Sequence, residues 1–273
     1  MNRSPGTRTT YAVPSALWAL LILGRLLSPP SAASADLDSL REHLAALEET
    51  TFVTAAVFKN GLKVLINEHR ANPVVSIQVY GQTGIADEPD AFPGLSGLLA
   101  SVLFRRSTDV GTGTTVQNAR LLGAFLSSSA EYGHCRFEIQ APAGQWKRAL
   151  QIHAEALSDS TYGPEEVAAG VALAREEARR RLRDPAETAR GALLDLHSPL
   201  AGLKRWRAVL GGNLEAVTGR ELSDWHRRIF APGNMVLAVS GDVPAIEVLD
   251  EAARLYGAFR GSAVPAPAGS PMA

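Results

Sequence analysis

The side chains able to do chemistry are few, and their spacing limits what they could do. Six histidines lie at positions 43, 69, 134, 153, 197 and 226, and Cys135 is the only cysteine. His134 and Cys135 adjoin, but neighbouring strand residues point to opposite faces, so the two cannot serve one metal without a bulge. His43, His69, His153, His197 and His226 are isolated in sequence and read as surface or hydrogen-bonded core groups. Cys135 lies in an alternating stretch where a small thiol packs well, and a single cysteine cannot close an intrachain disulfide. Ser127, Ser128 and Ser129 offer hydroxyls, yet no Gly-x-Ser-x-Gly elbow surrounds them and no histidine partner is evident, which sets serine hydrolysis aside. Glu176 and Glu177 precede Arg179, Arg180 and Arg181 and read, on spacing alone, as helix-surface ion pairs.

The elements that must position these residues are legible from periodicity. Leu37, Leu40, Leu44 and Leu47 recur at helical spacing and predict an amphipathic helix, an amino-terminal arm over 36–51. Strands are expected over 52–58 and 62–67 around the hairpin turn Asn60-Gly61, and over 74–81. A Gly- and Pro-punctuated loop then leads to an almost wholly apolar or small segment, 94–104, whose length favours a buried helix. A helix over 115–122, strands over 125–129 and 134–141, and a helix over 146–157 follow. Pro164 opens a long helix with Glu165 and Glu166 at its positive end, and Asp184-Pro185 stops it. A helix over 186–196 comes next, and Thr218 with Glu221 forms a capping box for a helix to 230. A buried strand over 235–240 and a last helix over 245–259 complete the pattern, with 260–273 as a flexible tail or truncated linker. Hairpins first, long helices next and a late returning strand predict an α+β fold, a mainly antiparallel sheet packed against several helices.

Composition narrows the function classes. With 46% hydrophobic and 20% charged residues the chain can build a core, and a formal net charge of -1 with interleaved signs leaves no footprint for nucleic acid. Residues 1–35 read as a signal peptide: Arg3 and Arg8, the apolar 16–24, and Ala33-Ser34-Ala35 as a cleavage site. Arg25 interrupts the apolar run, which is too short to span a bilayer, so no membrane span is expected once the signal is removed. The expected location is therefore exported, periplasmic or secreted.

Several ordered motifs carry a resemblance. Phe58-Lys59-Asn60-Gly61-Leu62-Lys63-Val64, Pro73-Val74-Val75-Ser76-Ile77, Gly84, Asp87-Glu88, Gly94-Leu95 and Phe104 occur in series. They are followed by Glu176-Glu177-Ala178-Arg179-Arg180, Asp184-Pro185, Ala231-Pro232-Gly233-Asn234-Met235 and Ser240-Gly241-Asp242-Val243. Over 52–259 this series resembles the amino-terminal domain of the insulinase, pitrilysin and mitochondrial-processing-peptidase family of zinc peptidases. The resemblance implies a helix carrying His-x-x-Glu-His, in which residues four apart put two imidazoles on one zinc beside a glutamate base. Laid on this sequence, the first ligand falls on Gly97, the base on Ala100 and the second ligand on Ser101, so all three groups are replaced. Glu177 matches the third ligand, and Ser127 matches an asparagine that holds the substrate backbone.

The resemblance thus implies a non-catalytic homologue, with no cofactor expected where the family uses zinc. It also implies a partner, either another insulinase-like subunit or a second copy of this chain, and peptides as possible ligands. The alternatives are a metallopeptidase with a site rebuilt on Glu177 and His134, or a stand-alone periplasmic interaction module.

Overall fold

A computed structural model describes residues 40, 42–50, 53–105, 114–158, 161–197, 209–210 and 213–261. The expected signal peptide over 1–35 lies outside them, as does the expected tail over 260–273 apart from residues 260 and 261.

Seven strands form one sheet in the order β1-β2-β3-β7-β4-β6-β5. In chain order these are β1 (Leu44–Glu49), β2 (Thr54–Phe58), β3 (Lys63–Glu68), β4 (Val74–Gly81), β5 (Phe125–Ala130), β6 (Cys135–Pro142) and β7 (Met235–Gly241). All pairs are antiparallel except β3 with β7. The fold is α+β, and the late strand β7 enters the middle of the sheet. The hairpin turn between β2 and β3 requires Gly61, whose φ of 94° favours a residue without a Cβ.

The predicted arm is corrected in part. His43 is still helical, but residues 44–49 form an edge strand paired with β2. The leucine spacing misled because a bulge intervenes. Leu44 faces Phe58, Ala46 faces Val57 and Leu47 faces Ala56, so Ala45 is the extra residue. Phe58 and Ala56 both point to the core, and the bulge places Leu44 and Leu47 on that same side. A three-residue spacing that looks helical is therefore served by a strand.

The helices are α1 (Leu95–Val102), α2 (Thr115–Leu121), α3 (Trp146–Ser158), α4 (Pro164–Arg183), α5 (Pro185–His197), α6 (Gly219–Ile229) and α7 (Ala245–Tyr256). One face of the sheet, with Val75, Ile77, Val79, Phe137, Ile139, Leu237 and Val239, is buried in the core. The alternate residues carry a polar network centred on Glu138. Its carboxylate accepts hydrogen bonds from Gln140 at 2.7 Å, Ser76 at 2.8 Å, and Gln78 and Ser127 at 3.1 Å. Burial pushes the pKa of Glu138 upward, but these hydrogen bonds and Arg136 outweigh it and hold the group below the usual carboxylate range.

Two buried histidines are structural. His153 Nε2 donates to the Phe137 carbonyl and Nδ1 accepts from the Tyr256 hydroxyl, because a carbonyl can only accept. His226 is held in the same way by the Leu157 carbonyl and the Tyr162 hydroxyl.

Candidate functional site

α1 is the element on which the site depends, and three contacts fix it. Glu88 is buried and caps its start, accepting from the backbone N–H of Gly94 at 2.7 Å and of Ser96 at 2.8 Å. A carboxylate at that end also meets the positive pole of the helix. Trp225 on α6 donates to the Ser96 hydroxyl at 3.3 Å. Gly170 on α4 lets the two helices approach, since a Cβ there would lie 2.3 Å from Val102 Cγ1 and 2.5 Å from Leu98 Cδ1.

That approach builds a cavity of about 370 Å³ between α1, α4 and the end of β5. Gly97, Ala100 and Ser101 line it from α1, Glu177 and Arg181 from α4, and Ser128 and Ser129 from β5. Positions far apart in sequence are thus brought together. What they carry is chemically sparse. A Cβ built on Gly97 meets nothing within 4 Å, so the position opens into the cavity. The Ser101 hydroxyl donates to the Gly97 carbonyl at 2.7 Å, a bond within its own helix.

Glu177 is already committed. Arg180 reaches both carboxylate oxygens at 2.7 Å and Arg181 adds a third contact at 2.8 Å. The Arg180 hydrogen bonds come first among the causes that hold its pKa below the usual range, with Arg181 assisting against burial. Glu176 pairs with Arg179 at the exposed surface.

As donors for a divalent metal these residues do not fit a zinc site. Among its described lining residues the cavity offers no imidazole and no thiol, and the two carboxylates among them, Glu88 and Glu177, are engaged by N–H donors. Among the described residues no cluster of three or more His, Cys, Asp and Glu side chains could hold a metal ion. His134 is not among the lining residues and packs 5.7 Å from the Tyr80 ring. Cys135 is fully buried, and burial pushes its thiol up to about 12. The His197 side chain lies outside the described residues.

Ser127 lies away from this cavity, on the outer side of β5, where its hydroxyl donates to Glu138 at 3.1 Å. Ser128 turns inward and donates to the Ala100 carbonyl at 2.7 Å. Sequence reasoning weighed Ser128 only as a nucleophile and foresaw neither its contact with α1 nor the capping role of Glu88. The first was available from the alternation of β5, since Leu126 and Ala130 are the apolar members of the same row. The second had only the weaker signal of an acid shortly before an apolar helix.

Comparison with known proteins bears on this geometry. The insulinase (peptidase family M16) model matches residues 63–194, and the peptidase M16 inactive domain model matches 216–273. No curated protein matches the sequence. Among solved structures, the chain is similar to the first half of the periplasmic protease PqqL from Escherichia coli, with a TM-score of 0.68 and 19% identity over 82% of this chain and 50% of that one. It is also similar to a protease from Helicobacter pylori, with a TM-score of 0.66 and 18% identity over 78% of this chain and 52% of that one. A third likeness is to a peptidase M16 inactive domain from Pseudomonas fluorescens, with a TM-score of 0.63 and 21% identity over 78% and 52%. The chain spans about half the length of each of these three, and at such identities the likeness is one of fold.

Proposed function

Because the chain belongs to the insulinase family of peptidases (family M16), we propose that it is an exported, non-catalytic member: a peptide-binding scaffold that pairs with an active peptidase of the same family. One observation carries the reading. The positions that the resemblance assigns to the ligands and the base, Gly97, Ala100, Ser101 and Glu177, line one cavity, and of these only Glu177 brings a carboxylate, which two arginines already hold. A helix bearing no imidazole and no free acid cannot lower the pKa of a bound water or take its proton.

Pairing is supported by size. The chain matches about half of the similar proteases, 50% of the PqqL half and 52% of the Helicobacter pylori protein, so each of these carries roughly as much again beside the matched part. Peptide binding is supported by β5, which ends the sheet beside the cavity with one edge unclaimed by any described strand. Such an edge offers backbone N–H and carbonyl groups to an extended chain. Ser127, on the same strand, belongs to this surface. Export rests on the signal-like residues 1–35, and no helix among the described residues is long and apolar enough to cross a membrane.

The test is hydrolysis of fluorogenic peptides by the purified chain, alone and mixed with a peptidase bearing an intact His-x-x-Glu-His helix from the same source. The expected outcome is no hydrolysis alone and co-elution with the partner. Hydrolysis by the chain alone that disappears in Glu177→Ala would overturn the reading.

A further inference from the structure

The cavity beneath α1 continues into a second, more polar groove of about 500 Å³. The two share Ala100, Ser101, Arg105 and Ser128, and together they flank β5 from Leu126 to Ala130. At a strand rise of about 3.3 Å per residue, that length accommodates roughly five residues of an extended chain.

Among the described residues that line it, the charge of the second groove is one-sided: Arg105 and Arg120 do so, and no described Asp or Glu does. Elsewhere arginines are mostly paired, as Arg136 is with Glu138, Arg175 with Glu215, Arg181 with Glu177 and Glu187, and Arg254 with Glu251. Arg105 and Arg120 make no ion pair or hydrogen bond with any described residue. The hydroxyls of Ser127 and Ser128 are spent on Glu138 and the Ala100 carbonyl, and the two guanidinium groups are the uncommitted charged groups among the described residues lining this groove. A guanidinium offers several N–H donors in a planar fork suited to a carboxylate, and cations left unpaired in a groove favour an anionic occupant.

We propose that the groove along β5 selects an extended peptide segment bearing acidic side chains, with Arg105 and Arg120 receiving the carboxylates. This rests on the peptide-binding reading above and is independent of the zinc question. The proposal assigns the ligand's chemistry and the two residues that read it.

The experiment measures fluorescence anisotropy with the full purified chain and a short Thr- and Val-rich peptide, labelled and blocked at both ends. One version carries two glutamates and the other two glutamines at the same places. Blocking the ends removes the terminal carboxylate, so the side chains alone are tested. The Glu peptide is expected to bind about tenfold tighter at low salt, with the advantage shrinking as salt screens the pair. The advantage should disappear in R105Q/R120Q and fall part-way in each single variant, with far-UV circular dichroism unchanged. Equal binding of both peptides overturns the acidic selectivity and leaves the peptide-binding reading standing. Binding of neither removes both. A preference that survives in R105Q/R120Q places recognition elsewhere and also overturns the proposal.

Discussion

At the scale of single residues, the cavity separates glycine kept for space from glycine that merely lacks a side chain. Gly97 sits in a helix and a Cβ there touches nothing within 4 Å. Gly97→Ala is therefore expected to stabilise the fold by about 0.5–1 kcal/mol, the helix-propensity difference, measured by urea unfolding. A loss of stability would mean that the position is not open. His153 supplies a second residue-scale prediction. Burial drives its pKa down to about 4 from the ordinary 6.5, with the Phe137 carbonyl acting weakly the other way. The unfolded chain takes up a proton near pH 6.5 that the folded chain refuses until about pH 4, so stability is fully present above that window and falls as pH drops through it. The slope contributed is at most about 1.4 kcal/mol per pH unit, and His153→Gln should flatten it. Glu138 and Glu177, held below the usual carboxylate range, lose their contribution only at lower pH, which separates the two effects.

At the scale of elements, most helices and strands were readable because their periodicity agrees with their burial. β4 shows this well, with Val75, Ile77 and Val79 buried between half-buried Ser76, Gln78 and Tyr80. The capping box of Thr218 and Glu221 likewise opens α6 where its residues predict. β1 was not readable, because the bulge at Ala45 hides a strand behind helical spacing and no local signal marks it. Nor was the approach of α1 to α4, which depends on Gly170 fitting against Leu98 and Val102. Gly170→Val should cost about 1–3 kcal/mol by overpacking that contact, read as a lower urea midpoint. The same substitution moves Glu177 away from α1 and should weaken peptide binding along β5. Unchanged stability would show that the helices are not held by this contact.

At the scale of the whole molecule, the two family matches are one structural unit. The inactive-domain match over 216–273 contains β7, and β7 lies between β3 and β4 from the insulinase match over 63–194. Met235, Leu237 and Val239 on β7 are fully or almost fully buried. Each such side chain contributes about 1.5–3 kcal/mol, against a typical domain stability of about 5–15 kcal/mol. A chain ending at residue 215 should therefore fail to fold, giving no cooperative unfolding transition by circular dichroism. A cooperative transition in that fragment would mean that the insulinase-matched part stands alone. Gathering Gly97, Ala100, Ser101 and Glu177 in one place is likewise a property of the whole, since it needs the sheet, the Glu88 cap and the α4 contact together. The replaced residue types were plain in the sequence, but their convergence and the clamp of Arg180 and Arg181 on Glu177 were not, because neither follows from local pattern.

Zinc content tests the account most directly. The purified chain, equilibrated with excess zinc, desalted and analysed by mass spectrometry for metal, should retain far less than one ion per chain, and Glu177→Ala should retain no less. Stoichiometric zinc in the native chain that is lost in Glu177→Ala would contradict the account, because it would place a working metal site at Glu177, in the cavity that Gly97 and Ser101 line.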